Sequence, residues 1–410
     1  MLSIETRAVL DASVPVLREH GVAITTSFYA SMFAAHPELK NIFNMGNQKS
    51  GAQQQSLASA LFAYAANYDN QAALLPVVSR IVQKHVSVGI RADHYPIVGK
   101  YLLGGIAHVL GAAATPALLA AWGDAYGDLA GLFISEEQAQ YRSKSIEPGQ
   151  CRQVTVNKKV IESEQVTSFY LVATDGNPLP AFLPGQYISV AMQVADGGKQ
   201  LRQLRQYSLS DAADKPYWRI SVKREVAQAE LDAGMVSGLI HDQIQVGDTL
   251  WVGMPCGDFV LHHESELASN RAPLILISAG VGITPVMSML HSSLAKQQRQ
   301  VRFFHATRSG KYHALRSELH ALAQHNKQLD IHICYEHPET SDVIGRDYIS
   351  AGKLDLNAVN ADLLPTNGHY YLCGPSPFMQ QQRRALIARG IPEAQIRHEV
   401  FGPELIGHLA

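Results

Sequence analysis

Four local patterns in this chain combine residue types that can do chemistry. In the first, Val78, Ile81, Val82 and His85 recur at i, i+3, i+4 and i+7, so an imidazole projects from an apolar helical stripe. A histidine so placed is more commonly a satisfied core residue than a ligand, yet its neutral ring is also the commonest metal ligand. Its company bears on the choice. Gln53, Leu57, Leu61 and Tyr64 set a polar head above an apolar wall, Phe28, Tyr29, Met32 and Phe33 crowd another helix, and Phe43 stands in the turn NIFNMGNQ. A large, flat, apolar group with one axial nitrogen ligand would explain these surroundings, and spacing alone leaves both readings open.

The other three patterns suit phosphates and rings. Arg205-Gln206-Tyr207-Ser208 follows Gly185-Gln186-Tyr187, and because alternate strand residues share a face, Arg205 and Tyr207 point the same way. Gly234, Met235, Val236 and Ser237 open a helix, whose free N–H groups can meet a pyrophosphate. Gly280-Val281-Gly282-Ile283-Thr284-Pro285 lies between an apolar strand and a helix, although this G-x-G is short of the full G-x-G-x-x-G fingerprint.

The elements that must hold these residues change texture along the chain. Up to Glu147-Pro148-Gly149, apolar residues recur at helical spacing and Pro15, Pro37, Pro76, Pro96 and Pro116 mark expected joints. Helices are expected over Val22–Ala35, Ala52–Tyr68 and Pro76–Gly89, the last opened by its proline. Short alternating runs follow (RQVTVNKKVI, TSFYLVAT, GQYISVAMQV, YWRISVKRE), separated by Gly, Pro and Asp turns, as in a small β-barrel. After Asn270, the compact apolar strands PLILIS, VRFFHAT, LDIHICY and HYYLC, with ALRSELHALAQH between two of them, predict a parallel sheet flanked by helices. The expectation is a multidomain chain: all-α over 1–147, an antiparallel β-barrel over 151–264 and an α/β parallel sheet over 271–410.

Composition narrows the classes. The 410 residues carry 34 Lys+Arg against 36 Asp+Glu, a formal net charge of −2, so no basic footprint points to nucleic acid. Ser50–Tyr68, Tyr101–Gly123 and Ala272–Ala295 hold no charged residue and are long enough to be weighed as membrane spans. Gln53, Gln54, Gln55 and Asn67 interrupt the first, glycines, His108 and Pro116 the second, and Gly280, Gly282 and Pro285 the third. MLSIETRAVLD has no signal-peptide core. Cys151, Cys256, Cys334 and Cys373 are scattered and form no CxxC pair. No integral membrane segment and a cytoplasmic setting are therefore expected.

At this point the chain resembles the bacterial and fungal flavohaemoglobins. SFYASMFAAHPELKNIFNMGNQ, QKHVSVGI and AWGDAYGDLAGLFISEEQAQY are similar to that family's globin domain, and the later domains match in the same order, so the resemblance covers essentially the whole chain. It implies that His85 is the proximal ligand of haem b, that Phe43 packs on the haem face, and that Tyr29, Gln53 and Leu57 line the distal pocket. Tyr95 and Glu137 match the residues that buttress the proximal histidine, and Lys84 matches as well. A carboxylate on the ring N–H of a ligating histidine fixes its tautomer and raises its basicity. A phenol over the sixth position can donate to bound dioxygen in a dry pocket, where such a bond is worth roughly 2–4 kcal/mol.

Arg205-x-Tyr207-Ser208 resembles the flavin site of the ferredoxin–NADP reductase superfamily. The resemblance implies FAD held by Tyr187, Arg205, Gln206, Tyr207, Ser208, Gly234 and Ser237. Relatives tend to carry a second glycine before the phosphate turn, whereas AELDAGMVS has Ala233 and a longer approach, so a reshaped loop is expected. Gly280 to Pro285 matches the superfamily's G-x-G-x-T-P nicotinamide turn, and Cys373-Gly374-Pro375 its second. Glu399 and Phe401 fall where the family aromatic covers the flavin and must move. Arg308 and Ser309 could accept a 2′-phosphate or lie solvated in a loop, leaving NADH against NADPH open.

The activity implied is that of a nitric oxide dioxygenase: NAD(P)H reduces FAD, FAD reduces haem, and dioxygen on ferrous haem oxidises nitric oxide to nitrate. Two nitric oxide molecules would be consumed per nicotinamide. The alternatives are an oxygen-binding or sensing globin with its own reductase, and a reductase of lipid hydroperoxides or external acceptors. The expected partners are O₂ and nitric oxide, with room for a lipid or other apolar ligand in the distal pocket.

Overall fold

A computed structural model describes residues 2–68, 70–227, 232–261, 272–296 and 299–402. The predicted domain limits at 264, 271 and 410 lie outside the described residues. By backbone contacts the chain divides into two units: Met1–Cys151 with Ala191–Arg205 and the end from Gly402, and Arg152–Val190 with Gln206–Phe401.

The helices of the first unit are α1 (Ile4–Ala35), α2 (Met45–Lys49), α3 (Ala52–Asn67), α4 (Gln71–Val88), α5 (His94–Leu110) and α6 (Pro116–Lys144). Their starts follow local chemistry. Ser3 accepts from the Thr6 N–H to cap α1, and Thr115 caps α6 with Pro116 at its first position. Crossings run through small residues: a Cβ at Gly105 would lie 2.8 Å from the Ile24 carbonyl of α1, and Gly21 meets Ala58 of α3. The core is formed by Leu10, Ile24, Phe28, Met32, Leu102, Ile106 and Trp122.

Two expected joints are corrected. Pro15 lies inside α1 and Pro76 inside α4, which starts at Gln71 rather than at the proline. A proline costs roughly 3 kcal/mol in a helix interior. Burial of Leu10 and Ile24 in α1, and of Val78 and Val82 in α4, offsets that cost. His94–Ala113, at the charge-poor stretch beginning near Tyr101, is long and apolar enough by length and composition to cross a membrane, and it presents Leu102 and Ile106 to the helical core.

Strands β1 (Arg152–Ile161), β2 (Val166–Ala173), β3 (Tyr187–Asp196), β4 (Lys199–Ser208) and β5 (Trp218–Lys223), then α7 (Met235–Gln243) and β6 (Thr249–Val252), build a six-stranded sheet ordered β4-β3-β6-β1-β2-β5. The β1–β2, β2–β5 and β1–β6 pairs are antiparallel.

Next come β7 (Leu274–Ala279), α8 (Ile283–Lys296), β8 (Val301–Thr307), α9 (Arg316–His325), β9 (Leu329–Tyr335), β10 (Ser350–Ala351), β11 (His369–Cys373), α10 (Ser376–Ala388) and β12 (Ile396–Glu399). These strands form a parallel sheet ordered β10-β9-β8-β7-β11-β12. Leu274, Leu276 and Phe303 pack on one face with Met287 and Leu290 of α8, and Ile275, Ile277 and Phe304 on the other with Leu386 of α10. Burial on both faces is why these strands read as unbroken apolar runs.

Candidate functional site

The α4 stripe brings Val78 and Val82 into the core and leaves His85 partly exposed at its end. Its Nδ1 lies 2.7 Å from Glu137 Oε1 and 3.2 Å from the Tyr95 hydroxyl. Tyr95, in the first turn of α5, donates to the same carboxylate oxygen at 2.5 Å. Glu137 is 2% exposed on the inner face of α6, whereas its neighbour Glu136 is exposed. Phe133, one turn before Glu137, packs against the His85 ring at 5.7 Å, and Tyr126 donates to the Tyr95 carbonyl at 2.7 Å.

This geometry assigns protons. Tyr95 has one hydroxyl proton and directs it to Glu137, so the proton between His85 and Glu137 belongs to Nδ1. Burial pushes the Tyr95 hydroxyl well above the ordinary phenol range, and the Glu137 hydrogen bond and charge push it further, so it remains a donor. With the proton on Nδ1, Nε2 carries the lone pair, and no hydrogen bond to it forms among the described residues. An imidazole held by a carboxylate at one nitrogen and open at the other is the donor arrangement a haem iron requires.

Tyr29, 4% exposed, lies within an aromatic cluster: parallel to Phe33 at 5.8 Å and edge-on to Phe43 at 5.7 Å. Burial pushes its hydroxyl far up, and hydrogen bonds with Gln53 and Gln48 only partly offset the rise. Leu57 packs against the same core. Asn44 caps α2 by accepting from the Gly46 and Asn47 N–H groups, which closes the turn that carries Phe43. The structure thus brings Tyr29, Phe43 and Gln53 together, as it does His85, Tyr95 and Glu137. Lys84, next to His85 in α4, donates from its Nζ to the Gly402 carbonyl at 3.2 Å.

The strand motif is also assembled. Arg205 and Tyr207 alternate on β4 and remain partly exposed, while Ser208 is buried. Gln206 Nε2 donates to Ser189 Oγ at 3.3 Å, and Tyr187 exchanges backbone bonds with Cys256 at 2.9 Å each way. At α7, Ser237 Oγ donates to the Gly234 carbonyl and accepts from the Glu225 N–H, folding the turn on itself. Gly234 serves as the residue before that helix, so the first α7 N–H groups stand free of helical partners. The reshaped approach expected at AELDAGMVS falls largely on 228–231, outside the described residues.

In the parallel sheet, strand order reverses between β7 and β11, and both glycine turns lie at the carboxyl ends of these two strands. That is where open α/β sheets bind dinucleotides. A Cβ at Gly282 would lie 2.2 Å from the Cys373 carbonyl, so the turns meet only because Gly282 has none. Gly280, at φ +54°, faces open space, where a ligand backbone can approach. Thr284 Oγ1 donates to the Val281 carbonyl and braces the loop, with Ile283 buried behind it and Pro285 in the first turn of α8.

Burial, then the Glu399 charge, pushes the Cys373 thiol well above its ordinary range, which makes it a neutral wall rather than a nucleophile. Glu399 pairs with Cys373 in register, Gly374 packs against Phe378 and Ala279, and Pro375 precedes α10. Phe401 is 45% exposed. Arg308 lies over the Tyr312 ring at 3.5 Å and donates to Gln165, while Ser309 is buried and donates to Glu339.

Several residues escaped sequence reasoning. Gln48 beside Tyr29, Phe133 on His85 and Tyr126 under Tyr95 had no local signal. His305 Nδ1, 2.9 Å from Ser278 Oγ at the β7 end, is fully buried, and burial pulls its ring down to about 3. Asp211, His291 and Glu318 also cluster as metal ligands do, with all three ligand atoms within 4.8 Å. Arg219, 2% exposed, already donates to Glu318 at 2.7 Å and lies 3.6 Å from Asp211, so the cluster is an ion-pair network opposed to a cation.

Comparison with known proteins gives three family matches: Globin over residues 26–132, Oxidoreductase FAD-binding domain over 153–261, and Oxidoreductase NAD-binding domain over 276–384. A flavohemoprotein of Chromobacterium violaceum is 50% identical over 405 residues, 98% of each chain. One of Bordetella parapertussis is 47% identical over 98% of this chain and 99% of its own. Among solved structures, the flavohemoglobin of Malassezia yamatoensis with bound FAD and heme matches with a TM-score of 0.83 and 30% identity, over 98% of this chain and all of its own. The FAD/NAD-binding domain of nitric oxide dioxygenase from Vibrio cholerae matches at 36% identity and a TM-score of 0.54, covering 62% of this chain and 99% of that one.

Proposed function

The chain belongs to the flavohaemoprotein family, and from that premise we propose that it is a nitric oxide dioxygenase. It is an NAD(P)H-dependent oxidoreductase with a globin domain for haem, an antiparallel-sheet domain for FAD and a parallel-sheet domain for NAD. When bound, the three cofactors supply electron transfer from nicotinamide and dioxygen chemistry that converts nitric oxide to nitrate.

The observation that carries the finer reading is the carboxylate on the proximal imidazole. An oxygen carrier needs only an axial nitrogen; a dioxygenase gains from a more basic one, which pushes electron density toward the ligand. Glu137 at 2.7 Å from Nδ1 does this, with Tyr95 bonded to both groups to hold their geometry. In this reading His85 Nε2 would ligate the iron and Phe43 would form a wall of the haem pocket, with Lys84, next to the ligand in α4, contributing to haem binding. Tyr29, which keeps its proton, would hydrogen-bond to dioxygen, steadied by Gln53, while Leu57 would help exclude water.

Tyr187, Arg205, Gln206, Tyr207 and Ser208 would hold the flavin, the α7 N-terminus with Gly234 and Ser237 its pyrophosphate, and Gly280 to Pro285 with Cys373, Gly374 and Pro375 the nicotinamide. Glu399 and Phe401 border that last site. The four scattered cysteines, with no CxxC pair, support a reducing, cytoplasmic setting.

The test is spectral and stoichiometric. The purified holoprotein should show haem and flavin bands, NADH should reduce both, and nitric oxide should vanish under air at two molecules per NADH. Stoichiometric nitric oxide binding without turnover would leave the oxygen-binding reading in its place.

A further inference from the structure

Residues Ala191–Arg205 belong by their contacts to the same unit as the helices. Within it, β4 meets the turn that bears Phe43 through bonds to its backbone. Gln203 is 2% exposed. Its Nε2 donates to the Lys40 carbonyl at 2.7 Å and to the Arg202 carbonyl at 3.4 Å. Its Oε1 accepts from the Met45 N–H at 3.2 Å and from Arg205 Nη1 at 3.4 Å. Both amide donors and both lone pairs are in use. Beside it the Arg202 N–H donates to Asn41 Oδ1 at 2.8 Å. The bonds at Lys40, Asn41 and Met45 bracket the turn, and inside the bracket Phe43 lies edge-on to Tyr29 and Phe33.

We infer that Gln203 is a positioning residue: it holds the Phe43 turn and ties it to the strand that continues into Arg205-Gln206-Tyr207-Ser208. The inference deepens the functional reading above and rests on it, because that reading sets Phe43 against haem and this strand against flavin. A glutamine suits the task since it donates and accepts without charge. Glutamate keeps the acceptor toward Met45 and Arg205 but turns an oxygen toward the Lys40 carbonyl. Leucine removes both halves while keeping most of the volume.

The test compares full-length holoprotein with Gln203→Leu and Gln203→Glu. Deuterium uptake of the segment around Met45, read by mass spectrometry, needs no turnover. The Met45 amide should exchange about tenfold faster in Gln203→Leu and close to the parent rate in Gln203→Glu. In anaerobic stopped-flow with NADH, flavin bleaching should keep its rate, while haem reduction should slow by about tenfold in Gln203→Leu, with partial recovery in Gln203→Glu. Unchanged Met45 exchange in Gln203→Leu overturns the inference, and so does faster exchange with an unchanged haem reduction rate. If the parent protein bleaches its flavin but never reduces its haem, the electron path of the functional reading fails instead, and the exchange data still decide the clamp. Should Gln203→Leu fail to fold, Gln203→Glu is read by haem reduction, where a rate below the parent's supports the inference and a rate equal to the parent's overturns it.

Discussion

Replacing Glu137 with glutamine isolates the charge behind the His85 imidazole, the proposed haem ligand. The carboxylate is buried, and one oxygen accepts from Tyr95 at 2.5 Å and from His85 Nδ1 at 2.7 Å. Glutamine keeps the size and an acceptor oxygen but removes the charge. A hydrogen bond to a charged partner contributes about 1.5–3 kcal/mol and a neutral one about 0.5–1.5 kcal/mol, so the bond to His85 weakens by about 1–2 kcal/mol. At about 1.4 kcal/mol per tenfold, that is roughly fivefold to thirtyfold. The range overlaps the loss of about 10–100-fold expected when a partner of a metal-bound histidine is removed.

Three measurements check it. The iron–histidine stretch of the ferrous protein should fall in frequency, haem transfer to apomyoglobin should accelerate, and nitric oxide turnover should drop by that factor. FAD content and NADH–ferricyanide reduction should stay as in the parent. Tyr95 offers an internal control, since losing the Glu137 bond and charge should bring its ionisation back toward the ordinary phenol range. An unaltered iron–histidine frequency together with unaltered turnover would refute the reasoning.

Three other outcomes are expected. Tyr29→Phe should release oxygen roughly thirtyfold to a thousandfold faster, from loss of one donor worth roughly 2–4 kcal/mol in a buried pocket, and an unchanged off-rate in flash photolysis would remove Tyr29 from that role. Arg219→Ala should destabilise the chain by about 3–5 kcal/mol, because Glu318 and Asp211 lose the buried guanidinium they share, and chemical denaturation measures it. The network holds Glu318 at about 2 although burial alone would raise it, since the His291 hydrogen bond and the Arg219 charge outweigh that burial. His305 and His313 are buried and neutral, pulled down chiefly by burial. The unfolded chain takes up their protons first, so this stability is full above about pH 6.5 and falls by about 1 kcal/mol per group per pH unit as the pH drops toward the folded values. Denaturation midpoints between pH 7 and 5 should flatten in His305→Asn/His313→Asn, and a slope as steep as the parent's would assign the acid sensitivity elsewhere.

Much of the fold was legible because its signals are local. Period 3.6 before residue 148, alternation after it and buried apolar runs after residue 270 each report one element's own burial. RQVTVNKKVI coincides with β1, VRFFHAT with β8 and HYYLC with β11. Prolines misled where a helix is held from outside, as at Pro15 and Pro76, since core packing outweighs one lost backbone bond. The glycine turns were legible from their motif, although the carbonyl that admits no Cβ at Gly282 belongs to Cys373 on another strand.

The partners of the chemical groups were another matter. Glu136 and Glu137 are neighbours in sequence, yet one helical step of about 100° separates an exposed acid from the one that holds His85. Tyr95 and Glu137 stand 42 residues apart, Arg219 and Glu318 99 apart, and Gln203 158 residues from the Met45 amide it accepts from. No period or motif encodes such pairs. A side chain's type states which bonds it can make, and its spacing states which way it leaves its own element. The atom it then meets, and with it the tautomer of His85 and the proton kept by Tyr95, is decided by which elements pack together, because desolvation penalises every buried polar group that the packing leaves without a partner.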